Sequence, residues 1–250
     1  MNKKRYSCIV LSGGMSRRMG QDKGSMIIDN KPMILHILER LNYKINDAVI
    51  VLNNSERISI YENLLEEYVG EDINAHFDYE LGFFEDEIKA KGPVSGIMTG
   101  LKNIKTDYAL VLPCDSPFIS ENYIETMFDL LDKSRSDESG LSNCSDLDAI
   151  IPFHIKSNKD KFKDNDEFNF ESADEMPLEM KIQNSEPLHS LYKKDNLKNI
   201  DSLLSDDNLY VKSFIRSLKN PYFVEVDNKI LFDDDFKNLN RPEDIENLKL

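Results

Sequence analysis

The chain has 250 residues, 40% apolar and 31% charged, with 46 acidic against 31 basic side chains and a net charge of −15. That length accommodates one domain with a sizeable core, while so acidic a balance argues against nucleic acid as the main partner, since binding to phosphates rests on positive charge. No apolar run approaches the ~20 residues of a membrane-spanning helix, and a strand-length run rather than a signal-peptide core follows the basic Met1-Asn2-Lys3-Lys4-Arg5, so a cytoplasmic protein without membrane contact is expected.

Residues 6–11 read as a buried parallel strand: short, apolar, rich in β-branched residues and ended by glycine. The loop that follows, Ser12-Gly13-Gly14-Met15-Ser16-Arg17-Arg18-Met19-Gly20-Gln21-Asp22-Lys23, combines glycines that permit close backbone approach with three cations, which suits a triphosphate. It is not a Walker A loop, because Gln21 rather than lysine follows Gly20, and it is not a GxGxxG fingerprint, because Gly13 and Gly14 are adjacent. Residues 25–28 form a short extended piece closed by the turn Asp29-Asn30-Lys31-Pro32, and Pro32 opens a helix whose apolar face is Met33, Ile34, Ile37, Leu38 and Leu41. His36 on that helix has a packing or surface role, since no acid or nucleophile is identifiable beside it.

Residues 47–52 are a second buried strand, with Asn53 at its end. A helix over 58–69 follows, and then a short third strand over 73–77 ending at Asp78. Strand, helix and strand at this rhythm predict a parallel sheet with right-handed crossovers. Ligands of such sheets gather at the carboxyl ends of the strands, so the glycine-rich loop, Asn53 and Asp78 are expected on one rim. Gly92-Pro93 marks a turn and the start of a helix through Leu101. Residues 108–112 are the best-defined strand and run into Pro113-Cys114-Asp115-Ser116-Pro117. A lone carboxylate on a turn stiffened by two prolines suits a magnesium ion, which needs one or two carboxylates plus substrate phosphates. Ser120 caps the next helix, over 120–131. Cys8, Cys114 and Cys144 form neither CxxC pairs nor a disulfide framework, and the first two read as small buried residues.

Beyond residue 132 the chain turns polar. A strand over 148–155 is followed by an acidic stretch, with seven acids and no Lys or Arg in 164–180. Too little apolar surface is available there to order the backbone, so a flexible insertion at about 156–186 is expected. Pro187-Leu188-His189-Ser190-Leu191-Tyr192 reads as a strand, followed by helices over 197–204 and around Val211, Ile215 and Leu218, and a last strand over 222–226. The end, Phe236-Lys237-Asn238-Leu239-Asn240-Arg241-Pro242-Glu243-Asp244, offers two amide side chains before a terminal helix.

The stretch from Leu11 to Lys23 resembles the LxGGxSxRMGxDK signature of the molybdenum cofactor guanylyltransferases. Gly92-Pro93-Val94-Ser95-Gly96 is similar to that family's GPLAG element, and Cys114-Asp115-Ser116-Pro117 to its CPCD-x-P. Residues 187–192 resemble its PLFALY, with His189 where an apolar residue is usual, and residues 238–244 its N-x-N-T-P-E-D, with Arg241 in the threonine position. The resemblance implies a single α/β domain over 1–250, with a three-layer Rossmann-like nucleotidyltransferase fold and a mostly parallel central sheet. It implies an enzyme that joins GMP from GTP to molybdenum–molybdopterin and releases pyrophosphate. Leu11, Ser12, Gly13, Gly14, Lys23, Asn53, Asp78, Gly92 and Asp115 would bind the nucleotide. Arg18, Lys23 and Asp115 would act in catalysis, Asp115 would hold Mg2+, and Asn238 and Asn240 would bind the acceptor. GTP and molybdopterin are then the partners, with transient contacts to cofactor-handling proteins or acceptor enzymes. Two alternatives stay open: a related nucleotidyltransferase using CTP or a sugar-phosphate acceptor, and a non-catalytic nucleotide-binding homologue.

Overall fold

The computed structural model describes residues 6–12, 22–42, 44–88, 92–135, 146–155, 173–205, 209–239 and 244. Its centre is a strand, β1 (Ser7–Ser12), in which every residue but Leu11 is buried. It pairs in parallel with β4 (Asp47–Leu52) on one side and β6 (Tyr108–Pro113) on the other. With β5 (Glu80–Glu85), β7 (Ala149–Phe153), β8 (Leu191–Lys193) and β9 (Pro221–Glu225), these strands form a seven-stranded sheet in the order β5-β4-β1-β6-β8-β7-β9. Only β8 runs antiparallel to its neighbours. A separate two-stranded ribbon joins β2 (Ile27–Ile28) to β3 (Lys31–Pro32). Its turn holds Asp29 and Asn30 at positive φ, conformations that a short polar side chain tolerates.

Strand side chains alternate between two faces, and each face is covered by helices. On one, Cys8, Val10, Ile50, Leu52, Leu110 and Leu112 pack under α1 (Met33–Arg40), α2 (Ser55–Val69) and α5 (Glu121–Arg135). On the other, Ile9, Val49, Val51, Ala109, Val111 and Ile151 meet α4 (Pro93–Asn103), α7 (Leu197–Ser205) and α8 (Val211–Ser217). The result is the expected three-layer α/β fold with a mostly parallel sheet.

Three expectations change. The third strand is not at 73–77. Asp72 accepts a hydrogen bond from the Ala75 amide (3.1 Å) and starts the single helical turn α3 (Ile73–His76). The strand comes after it, as β5, an edge strand whose half-buried side chains carry no strong apolar pattern. Residues 187–189 form a 3-10 turn, so the strand expected over 187–192 begins only at Leu191. The stretch expected as flexible insertion is ordered from residue 173: a 3-10 turn (Ala173–Glu175) leads into α6 (Leu178–Gln183). Met176 and Ile182 are buried, and Glu179 pairs with Arg216 of α8. Residues 156–172 lie outside the described residues.

Candidate active site

The carboxyl ends of β1, β4, β5 and β6 form one rim, and four residues expected there arrive as foreseen. Leu11 and Ser12 close β1, Asn53 follows β4, and Asp115 follows β6. The Asp115 turn is tied to β1 by the Cys114 amide, which donates to the Leu11 carbonyl (3.0 Å). Burial pushes the Cys114 thiol up to about 12, so this cysteine is a packing group rather than a nucleophile. Lys23 reaches across the rim, and its Nζ donates to Asp115 Oδ2 at 2.7 Å. Both side chains keep some access, at 17% and 16% exposure. The two residues with the strongest claim to chemistry are therefore in contact, 92 positions apart in sequence.

Beneath Lys23 lies a polar network that the sequence reading missed. Asp22 accepts from the hydroxyl of Tyr61 (2.7 Å) and pairs with the guanidinium of Arg57, both on α2. Tyr61 also shares a 2.5 Å hydrogen bond with Ser12. Arg57 and Tyr61 are buried, and burial, reinforced by nearby acidic groups, raises the Tyr61 phenol far above its ordinary value. Gly24 belongs to this arrangement by its lack of a side chain: a Cβ there would lie 2.2 Å from the Tyr61 hydroxyl. No motif marks Arg57 or Tyr61, which lie three and seven positions after the cap Asn54. Their buried face on an otherwise polar helix is the signal that was available.

Asp78 is a correction. The parallel register sets Asp47 against Glu80, so Asp78 precedes the start of β5, and its amide donates to Asn42 Oδ1 at the amino edge of the sheet. Six strand residues, roughly 20 Å, separate that edge from the rim. The carboxylate at the correct end of β5 is Asp86, whose amide donates to the Leu52 carbonyl (2.7 Å) beside Asn53. Its oxygens accept from Ser95 Oγ (2.8 Å) and Thr99 Oγ1 (3.3 Å), which fixes the first turns of α4 to the rim. Gly92 caps that helix at φ 79° and ψ −169°, a region essentially closed to other residues. Replacing Asp86 with Ala is expected to raise the KM for nucleotide about tenfold or more, while Asp78→Ala leaves it unchanged. Steady-state kinetics on the two variants checks this, and a larger effect at Asp78 would contradict it.

Asn238 docks on the same turn as Asp115: its side-chain oxygen accepts from Ser116 Oγ, and the Leu239 amide donates to the Asp115 carbonyl (2.9 Å). His189 is 1% exposed and bonds Ser116 Oγ through Nε2 (2.9 Å). Burial pushes its imidazole down to about 4. Such a histidine is neutral in the folded chain but takes up a proton in the unfolded chain below about pH 6.5, so stability falls as pH drops from about 6.5 to 4. The full loss is about 3 kcal/mol, and His189→Phe is expected to remove that part of the acid sensitivity. Urea titrations at pH 7 and pH 4.5 measure it. Gly13, Gly14, Arg18 and Asn240 lie outside the described residues.

An open α/β sheet with a lysine–aspartate pair on its carboxyl rim is suited to handling a nucleotide, and comparison with known proteins makes the chain a nucleotidyltransferase. The family model of the MobA-like NTP transferase domain matches residues 8–221, and the chain belongs to that family. It is 29% identical over 241 residues to a probable molybdenum cofactor guanylyltransferase of Methanothermobacter thermautotrophicus, an alignment covering 96% of both chains. A second protein so named, from Peptoclostridium acidaminophilum, is 28% identical over 88% of this chain and 76% of its own. The fold is shared with the molybdopterin-guanine dinucleotide biosynthesis protein A of Archaeoglobus fulgidus, at a TM-score of 0.61 and 20% identity over 96% and 95% of the two chains. It is shared equally with a 4-diphosphocytidyl-2C-methyl-D-erythritol synthase from Anaerococcus prevotii, at 0.62 and 15% identity over 97% and 93%.

Proposed function

We propose that this nucleotidyltransferase moves GMP from GTP to molybdenum–molybdopterin, forming the guanine dinucleotide cofactor. The Lys23–Asp115 pair at the carboxyl rim supports this most directly, because it puts one cation and one carboxylate where a triphosphate would lie. In the reaction a terminal phosphate oxygen of the pterin attacks the α-phosphorus of GTP. A new P–O bond forms, the α–β bond breaks, and pyrophosphate leaves. Such a transfer depends on positioning and charge neutralisation rather than on a covalent intermediate with the protein.

Within that reaction Lys23 and Arg18 neutralise the charge that grows on the α-phosphate and the leaving group. Gly13, Gly14, and the backbone at Leu11 and Ser12 cradle the phosphates, while Asn53 and the Gly92 turn bound the nucleotide on the β4–β5 side. Among the described residues no three His, Cys, Asp or Glu side chains converge as a metal cage. Asp115 on the rim suits Mg2+, which needs only one or two carboxylates beside phosphate oxygens and water. When bound there, the ion would supply charge neutralisation between the phosphates. Asn238 and Asn240 hold the acceptor. The same reading puts the reaction in the cytoplasm, with hand-over of the product through transient contacts with cofactor-handling proteins or recipient enzymes.

Calorimetry with Mg2+ and GTP, CTP or ATP tests the nucleotide, with GTP expected to bind at least about tenfold tighter, a difference of ~1.4 kcal/mol. Pyrophosphate release on adding molybdopterin tests the acceptor. A preference for CTP, or binding without turnover, would overturn the proposal in favour of a cytidylyltransferase or a non-catalytic homologue.

A further inference from the structure

The rim has two flanks. The sheet order β5-β4-β1-β6-β8 puts Asn53 and Ser12, at the ends of β4 and β1, on one side of Asp115, and Asn238 and His189 on the β6–β8 side. A nucleotide filling the first flank leaves the second for the group that attacks it. On that second flank, three residues from distant parts of the chain form a hydrogen-bonded row: His189 Nε2, Ser116 Oγ and Asn238 Oδ1. Two of them are buried, and Asn238 is exposed at the end of the row.

The direction of the row follows from counting protons. Ser116 has one hydroxyl hydrogen. If Ser116 donates it to Asn238, then His189 must donate to Ser116 from Nε2–H, and the ring is left with a bare Nδ1. If the row ran the other way, the buried Nδ1 would carry a hydrogen. Among the described residues Nδ1 has no partner. A buried N–H without an acceptor is rarer and more costly than an unused lone pair, so the first direction wins. The amide oxygen of Asn238 is thereby used inward, and its two N–H donors face out from the rim.

The anchor of the row is rigid. The Tyr123 hydroxyl donates to the His189 carbonyl. The Phe236 ring packs edge-on against Tyr123 (5.5 Å) and His189 (5.2 Å), and the Leu239 amide is bonded to the Asp115 carbonyl. The segment bearing Asn238 therefore cannot shift without moving the turn that carries Asp115.

We propose that His189 and Ser116 are positioning residues for the acceptor, locking the Asn238 amide with its N–H groups turned toward an incoming phosphate monoester. This rests on the proposed reaction for the identity of the acceptor, though not for the row itself. Ser116→Ala and His189→Phe each free the amide to rotate. Each should raise the KM for molybdopterin about 3- to 10-fold, the worth of one hydrogen bond, with the KM for GTP within twofold of the parent. His189→Gln, which offers a donor at a similar reach, should recover part of the loss, and Ser116→Ala should add nothing in an Asn238→Ala background.

An unchanged acceptor KM in both single variants, or parallel rises for GTP and acceptor, would overturn the proposal. A second measurement needs no acceptor: 15N–1H spectra of the imidazoles should show His189 protonated at Nε2, and Ser116→Ala should move the Asn238 side-chain amide signals. A hydrogen found at Nδ1 sinks the row even if the enzyme turns over as proposed. A parent protein that ignores molybdopterin but shows Nε2–H sinks only the reaction.

Discussion

Asp115→Asn is expected to lower kcat by about a hundred- to a thousandfold, the usual cost of removing one group that stabilises transition-state charge. The substitution keeps the shape of the side chain and changes only its charge, so it removes the negative charge facing Lys23 and the carboxylate suited to Mg2+ together. Lys23→Ala should cost a similar factor, because its ammonium lies 2.7 Å from the same carboxylate and in the proposed reaction serves the same phosphates. The two losses should not multiply in the double variant, since each residue does part of its work through the other. At 17% and 16% exposure both side chains are mostly shielded from water, so taking one partner away from a partly buried charge should also cost about 1–3 kcal/mol of stability. Thermal unfolding of the variants reads that cost separately from the loss of kcat. Pyrophosphate release measured across a magnesium titration separates the roles: Asp115→Asn should lose its magnesium dependence, and near-normal turnover would remove Asp115 from the mechanism.

The sequence exposed the parts of this site that are written locally. Residues 8–11 and 108–112 are short apolar runs, and each ends in a glycine- or proline-bearing turn, so their carboxyl ends could be located and the Lys23 and Asp115 segments assigned to one rim. The edge strand was not legible. Paired along one edge only and half-buried on both faces, residues 80–85 show neither a full apolar run nor a clean alternation, while Ile73 to Phe77 looks more strand-like than the helical turn it forms. That one displacement sent Asp78 to the rim on paper and to the opposite edge in the fold, and hid Asp86. The Arg57–Asp22 and His189–Ser116–Asn238 contacts were illegible for another reason. Each joins positions 35 to 122 residues apart; Asp22, Ser116 and Asn238 stand in motif segments, but nothing in those segments pairs them with Arg57 or His189, and only the packing of α2 on β1, or of the C-terminal segment on the Asp115 turn, brings them together. The count of acids over 164–180 does not register that Met176 and Ile182 become buried, nor that α6 forms over Leu178–Gln183.

Removing Arg57 should be the most destabilising single change near the site. Its guanidinium is buried, pairs with Asp22, lies 5.8 Å from the centroid of the Tyr61 ring, and sits in the first turn of α2, where its backbone amide donates to the cap Asn54 (3.0 Å). Arg57→Ala leaves the Asp22 carboxylate partly buried with only neutral donors among the described residues, and breaking a buried pair in this way costs about 3–5 kcal/mol. For a chain of this size that corresponds to a fall in Tm of roughly 10 °C, measurable by calorimetry. Because the cost is that of an uncompensated charge, removing the charge should return part of it: Asp22→Asn in the Arg57→Ala background should be more stable than Arg57→Ala alone. Activity should not follow that recovery. Asp22 immediately precedes Lys23, and without the clamp from Arg57 the lysine is held less firmly against Asp115, so the double variant should fold better than Arg57→Ala and still bind nucleotide poorly. If catalysis returned together with stability, the network would be a fold element alone and Lys23 would find its position without it.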